Sequence, residues 1–152
     1  MIVKFMEYLK FLGLTGRFGF LSDLKFYLAI VAAQCFYIIL AIFVKPDIHI
    51  GNIPHFFAIQ FYIAMSEELL FRGALLGILR ALFSSHYFEI SAANVLAAAI
   101  FSGFHFFSHP PLWALGTFFP ALIFGYFREK YSLWPAIFLH FLYNSEYFMF
   151  FA

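Results

Sequence analysis

Two adjacent carboxylates and a guanidinium, Glu67-Glu68-Leu69-Leu70-Phe71-Arg72, stand inside an otherwise apolar stretch of a 152-residue chain. Ionisable groups in hydrocarbon are costly and mark functional sites by default. Two further polar interruptions follow in apolar runs, Phe101-Ser102-Gly103-Phe104-His105 and His140-Phe141-Leu142-Tyr143-Asn144. Glu, His, His and Asn gathered in one water-poor site are the groups that hydrolysis of an amide needs: a base for water, and donors for the oxyanion that forms.

Spacing assigns provisional roles. On a helix Glu68 and Arg72 share a face in the favourable order, acid before base. Glu67 is rotated by about 100°. The expectation is therefore that Arg72 neutralises Glu68 and anchors the helix, whereas Glu67 points into a cavity and acts on water. Phe101 lies one turn before His105, so its ring can pack beside the imidazole and restrict it. His140 and Asn144 project from one stripe of their helix and can donate together to an oxyanion, each donor being worth roughly 3 kcal/mol in a dry site. Each group also has a plain structural alternative. The three charges can form one buried network, His105 can be a satisfied core histidine, and His140 with Asn144 can be an interhelical hydrogen-bonding pair worth about 0.6 kcal/mol. His109, beside Pro110-Pro111, is expected at the surface.

The elements that must position these groups are membrane helices. With 64% hydrophobic, 24% aromatic and 11% charged residues, the chain carries more apolar surface than a soluble core of this length could hide. The expected fold class is all-α: a polytopic helix bundle of about five transmembrane helices, near 27–44, 54–80, 91–107, 111–127 and 132–151. Residues 1–25 mix charges with Phe and Leu and suit an amphipathic segment at the membrane surface. Lys45-Pro46-Asp47, Asn52-Ile53-Pro54, Ser84-Ser85-His86, His109-Pro110-Pro111 and Arg128-Glu129-Lys130 supply the breaks. No break separates domains, so 1–152 reads as a single membrane domain with the motif-bearing core at 54–151. Gly73 and Gly77 on the second span, with Ala92, Ala93, Ala97, Ala98, Ala99 and Gly103 on the third, form low-profile surfaces that allow close approach and would bring Glu67 toward His105.

A net charge of +1 without a basic, aromatic-interleaved run argues against nucleic-acid partners. The single cysteine, Cys35, reads as a small buried apolar residue, and Ala32-Ala33-Gln34-Cys35 departs from a lipoprotein cleavage site at Gln34, so the first span is expected to be retained. Lys4, Lys10, Arg17, Lys25, Arg80, Arg128 and Lys130 fall on one side of the spans and Lys45 alone on the other. The positive-inside rule therefore predicts a multi-pass protein of the cytoplasmic membrane with a cytoplasmic N-terminus and an external C-terminus.

The ordered set EExxxR, FxxxH and HxxxN, each on its own hydrophobic helix, resembles the CPBP family of intramembrane proteases, also called the ABI family, which includes CAAX-processing and bacteriocin-related proteases. Glu67, Glu68 and Arg72 match the first motif, Phe101 and His105 the second, His140 and Asn144 the third, and the resemblance covers about 54–151. It implies that Glu67 and His105 activate water while His140 and Asn144 hold the oxyanion. It implies as substrate a membrane protein or lipidated peptide. In size the chain is similar to small, myxosortase-like members that process proteins with a C-terminal sorting helix. A glutamic-type mechanism without cofactor is favoured, because HExxH is absent and Asn144 suits an oxyanion. The alternative is zinc on Glu67, His105 and His140. Rival classes are a non-catalytic immunity or binding protein and a proton or ion pathway. Against the pathway stands the lack of a repeated half. Substrate, cleavage site and oligomeric state have no signature in the sequence.

Overall fold

Long apolar runs punctuated by capping residues dictate a helical chain, and a computed structural model describing residues 2–48 and 50–151 is built almost wholly of helices. Met1, His49 and Ala152 lie outside the described residues. Helix α1 covers Ile2–Leu12 and closes on Gly13, whose φ of +74° is the left-handed turn that glycine adopts without penalty. A 3-10 turn at Gly19–Ser22 leads to α2, Leu24–Phe43. Asp23 caps α2 by accepting from the Lys25 backbone N–H at 2.9 Å. Asn52 caps α3, Ile53–Glu68, through the His55 N–H at 3.1 Å.

The α3 rod does not end at Glu68. It widens into a π-helical turn over Leu69–Leu75, where the Leu76 N–H reaches back to the Phe71 carbonyl, and resumes as α4, Leu76–Leu82. A small antiparallel hairpin follows, β1 (His86–Tyr87) with β2 (Ile90–Ser91). It falls in the break expected at Ser84-Ser85-His86. Ser91 then caps α5, Ala92–His105, through the Asn94 N–H at 2.9 Å. Short α6, Pro111–Gly116, is nearly continuous with α7, Phe118–Lys130, and α8 runs Leu133–Phe150. The helical stretches coincide with the five apolar segments expected from the sequence, within a few residues at each end. Among the described residues α2, with 20 residues and mean hydropathy 2.3, is the one helix both long and apolar enough to cross a membrane by itself.

Packing places small residues inside and large apolar ones outside. Ala64, Ala93, Ala97, Ala98, Ala121 and Ala136 are fully buried, whereas Ile38, Ile42, Phe43, Phe107 and Leu112 are exposed, and so is Cys35, which the sequence suggested would be buried but which lies on the outward face of α2. That distribution suits a bundle whose solvent is lipid. One apolar cluster joins Phe26 and Ala29 of α2 to Phe124 and Phe127 of α7 and Leu139 of α8. Of two others, one joins the π turn to α5 and α7 through Phe71, Ala98, Phe101 and Ala121, and one joins α4 to α5 through Leu76, Leu79, Ala93 and Ala97. Helices α5 and α7 cross so closely that a Cβ on Gly125 would lie 1.8 Å from Asn94 Oδ1, and Asn94 donates to the Leu122 carbonyl at 3.0 Å.

The expected role of Gly73 and Gly77 needs correction. They face α1, not α5: a Cβ on Gly73 would meet Leu12 at 3.4 Å and one on Gly77 would meet Phe11 at 2.9 Å. Gly103, counted in the close-packing stripe of α5, has open space beside it. It borders a cleft of about 380 Å³ with Ala99, Ser102, Phe106, Leu115, Phe118 and Phe119. Ala93, Ala97 and Ala98 of α5 pack on the motif-bearing rod as expected, but against Phe71, Leu76 and Leu79 and not against the two glycines.

Charged residues gather at one end of the bundle. Asp23 accepts from Lys130 and from the Tyr131 hydroxyl, both at 2.9 Å, Glu129 accepts from Ser91 at 2.7 Å and pairs with Arg80 at 3.4 Å, and Lys25 pairs with Glu89. Arg128 donates to the Phe11 carbonyl at 2.7 Å, which holds the last turn of α1 against α7.

Candidate active site

The π turn starts immediately after the two glutamates, and a widened turn often marks a functional site. It leaves Glu68 and Arg72 buried, at 0% and 1% side-chain exposure, while the Glu67 side chain keeps 35%. Arg72 Nη1 donates to Glu68 Oε1 at 2.8 Å, as the i,i+4 spacing predicts. Its Nη2 donates to the Ala121 carbonyl of α7 at 3.3 Å, and the guanidinium lies over the rings of Phe101 and Phe124, 4.2 and 5.3 Å from their centroids. Desolvated in this way, cation, anion and two aromatic faces form a cross-brace between α3, α5 and α7.

His140 enters this brace from α8. Its Nδ1 is 2.8 Å from Glu68 Oε1 and its Nε2 is 3.6 Å from Glu67 Oε2. An ionised carboxylate accepts only, so with Glu68 held by Arg72 the proton of this contact sits on His140 Nδ1. The imidazole stacks on Phe124 with centroids 5.1 Å apart and an interplanar angle of 17°, and the Phe101 ring meets it edge-on at 5.8 Å. Its orientation is thus fixed by one charged acceptor and two rings, and Nε2 is left facing Glu67.

His105 is set by its own helix. Its Nδ1 lies 2.9 Å from the Phe101 carbonyl, which can only accept, so Nδ1 carries the proton and Nε2 is free to act as a base. The Phe101 ring packs against the imidazole at 4.5 Å, as expected. His109, expected at the surface, is half-buried with its ring 5.4 Å from that of His105.

Six of the seven residues singled out from the sequence, Glu67, Glu68, Arg72, Phe101, His105 and His140, are therefore linked by direct contacts. Asn144 stands one turn beyond His140 on the same stripe of α8, half-buried, and its side chain forms no hydrogen bond among the described residues. Two contributors escaped the sequence reading. Phe124 carries both the guanidinium and the His140 ring, but it is one of 26 phenylalanines and nothing in its neighbourhood marks it. Glu68 does more than balance Arg72, because it also orients His140, a relation that spacing within one helix cannot reveal. Among the described residues no group of three His, Cys, Asp or Glu side chains is arranged to hold a metal ion.

An α-helical bundle with a buried Glu-Arg-His brace, a half-exposed second glutamate and an adjacent histidine defines the class to which the three motifs pointed. The family model for Type II CAAX prenyl endopeptidase Rce1-like proteins matches residues 49–145, well over half of the chain, and the chain belongs to that family, within the CPBP proteases. Its members are membrane proteins and proteases of the CAAX-processing type. No curated protein and no solved structure matches the chain.

Proposed function

We propose that the chain is an intramembrane endopeptidase that hydrolyses a peptide bond of a membrane-embedded or lipid-linked protein, with Glu67, His105, His140 and Asn144 as its catalytic residues. The observation that carries the reading is the approach of Glu67 Oε2 and His140 Nε2 to 3.6 Å, since one small oxygen species can touch both groups. In this reading Glu67 and the Nε2 of His105 hold a water molecule, and Glu67 takes one of its protons as the water oxygen attacks the scissile carbonyl. The carbonyl oxygen becomes an oxyanion and is met by the Asn144 carboxamide and by His140 protonated at Nε2. Glu67 then returns a proton to the leaving amine, and the acid and amine products separate. Glu68, Arg72 and Phe101 touch no reacting atom and act as positioning residues.

The mechanism is of the glutamic type and uses no metal. The substrate class follows the family: a protein carrying a lipid near its C-terminus, or a helix that enters the bundle sideways. The whole chain, 1–152, acts as one membrane domain that crosses the bilayer five times from a cytoplasmic N-terminus to an external C-terminus. What supports this topology is the gathering of Asp23, Lys25, Arg80, Glu89 and Arg128 to Lys130 at one end of the bundle, while Asp47 meets Phe150 at the other. Basic loops on one side are the mark of the cytoplasmic face.

The test is cleavage of an internally quenched, farnesylated CAAX peptide by the purified chain in lipid nanodiscs. Wild-type cleavage that falls at least a hundredfold in Glu67→Gln, His105→Ala and His140→Ala supports the proposal, and a Glu67→Gln protein with full turnover refutes it.

A further inference from the structure

Helix α2 lies outside the family-matched region, and most of its surface is exposed. Its apolar contacts with the bundle include Phe26, Ala29 and Ile30 near its start, and Phe36 against Trp113 and Tyr37 against Phe151 toward its end. Further along, α2 reaches α8 through polar contacts. The Tyr37 hydroxyl donates to the Tyr143 carbonyl at 2.8 Å, the Tyr143 hydroxyl donates to the Ala29 carbonyl at 2.7 Å, and the Gln34 amide donates to Glu146 Oε1. Polar side chains are scarce in such a bundle, and these three contacts fall on the two positions, 143 and 146, that bracket Asn144.

Asn144 differs from the other site residues in how it is held. His140 has Glu68, Phe124 and Phe101 around its ring, and His105 has the Phe101 carbonyl and ring. The Asn144 side chain has no hydrogen-bond partner among the described residues, so its direction follows the rotation of the α8 backbone about its own axis. A donor displaced by about 1 Å from its productive position can cost a hundredfold in rate.

We infer that α2 is part of the catalytic apparatus: Gln34 and Tyr37, by gripping Glu146 and the Tyr143 carbonyl, set the rotation of α8 and thereby aim the Asn144 carboxamide at the oxyanion. Gln34, Tyr37 and Glu146 are positioning residues in this scheme. Gln34 needs an acceptor at position 146 and not a charge, so a glutamine there serves equally well. The inference rests on the oxyanion role proposed for Asn144, and it extends the machinery of the reaction to a helix that the family match leaves out.

The experiment uses the full chain in nanodiscs with the farnesylated CAAX peptide as probe and compares Gln34→Leu, Tyr37→Phe, Glu146→Leu, Glu146→Gln, Asn144→Ala and the double variant Gln34→Leu/Asn144→Ala. Tyr37→Phe removes one oxygen and is the variant least able to disturb folding. Expected are kcat values reduced about tenfold in Gln34→Leu, Tyr37→Phe and Glu146→Leu, with KM changed less than about twofold, and near-wild-type kcat in Glu146→Gln. Gln34→Leu should add no further loss in the Asn144→Ala background. Unchanged kcat in Tyr37→Phe and Gln34→Leu, or losses that multiply with Asn144→Ala, would overturn the inference. Wild-type protein that leaves the probe intact refutes the hydrolase reading for that substrate. The grip of α2 is then judged from the Asn144 side-chain amide resonances of nitrogen-15-labelled protein: displacement in Tyr37→Phe and Gln34→Leu but not in Glu146→Gln upholds it, and resonances that stay in place overturn it.

Discussion

His140 Nδ1 stands 2.8 Å from Glu68 Oε1, the same oxygen that Arg72 Nη1 reaches at 2.8 Å, so the histidine of α8 is oriented by the second glutamate of α3 and faces the first. The two glutamates are thereby divided by environment. One is sealed in and holds a cation and an imidazole, and the other keeps an open side.

Removing one member of the sealed group should unfold more than it inactivates. Glu68→Leu leaves the Arg72 guanidinium buried without its anion, and Arg72→Leu leaves the reverse. Each should cost about 3–5 kcal/mol and lower Tm sharply in detergent or nanodiscs, whereas the Glu68→Leu/Arg72→Leu double variant should recover a substantial part of the loss.

Glu67→Gln should behave in the opposite way. Its side chain keeps 35% exposure and its approach to His140, at 3.6 Å, is longer than a hydrogen bond. Tm should stay within about 2 °C of wild type, a change of at most about 1 kcal/mol for a domain of this size, while kcat falls by a factor of about 10² to 10⁴. Parallel thermal scans and turnover measurements on the two glutamate variants separate the roles.

Chelation tests the chemistry from another side. Prolonged dialysis against a strong chelator, with metal analysis before and after, should leave turnover of the probe peptide unchanged. Loss of activity that one equivalent of zinc restores would replace the glutamic mechanism with a metal-dependent one.

The contact between Phe11 and Gly77 gives a packing prediction. Gly77→Leu places side-chain atoms where the Phe11 ring stands 2.9 Å from a hypothetical Cβ. It should cost about 1–3 kcal/mol and expose α1 to added protease, and Phe11→Ala in the same chain should relieve part of that cost. Limited proteolysis near residue 13 and a Tm series provide the readouts.

Acid should loosen the charged end of the bundle before it reaches the apolar interior. The hydrogen bond from Lys130, the Lys25 backbone N–H and the Tyr131 hydroxyl together lower the Asp23 pKa from 3.8 to about 2. Because the folded value is depressed, the contribution of this group is complete above the unfolded value and is lost as pH falls toward the folded one. Tm should therefore be insensitive to this group from neutral pH to about 5 and decline below about 4, and Asp23→Asn should abolish that part of the decline while lowering Tm at neutral pH.

Much of this organisation was legible in the sequence because it depends on short-range rules. The helices α2, α5 and α8 follow from long apolar runs, and the Glu68–Arg72 pair and the packing of Phe101 on His105 follow from i,i+4 geometry. What was hidden depends on offsets or partners that composition does not encode. The π turn differs from an α-helix only in which carbonyl each N–H selects, and Leu69 to Leu75 read equally well either way. Gly73 and Gly77 announced a close neighbour but not its identity, and α1 took the place expected for α5. The hairpin at 86–91 lay in a stretch marked only as a break, with Phe88 at a φ of +55°, a conformation unusual for that residue.

The widened segment at Leu69–Leu75 lets one continuous rod serve two incompatible azimuths. Upstream, Glu67 and Glu68 answer to α8, and downstream Gly77 and Leu79 answer to α1 and α5. In a uniform spiral every change to the lower contacts would drag the carboxylates round with it. The loose coil works as a phase shifter, and it frees the surfaces that fit the chain to its neighbours to diverge without disturbing the bearing of the acids.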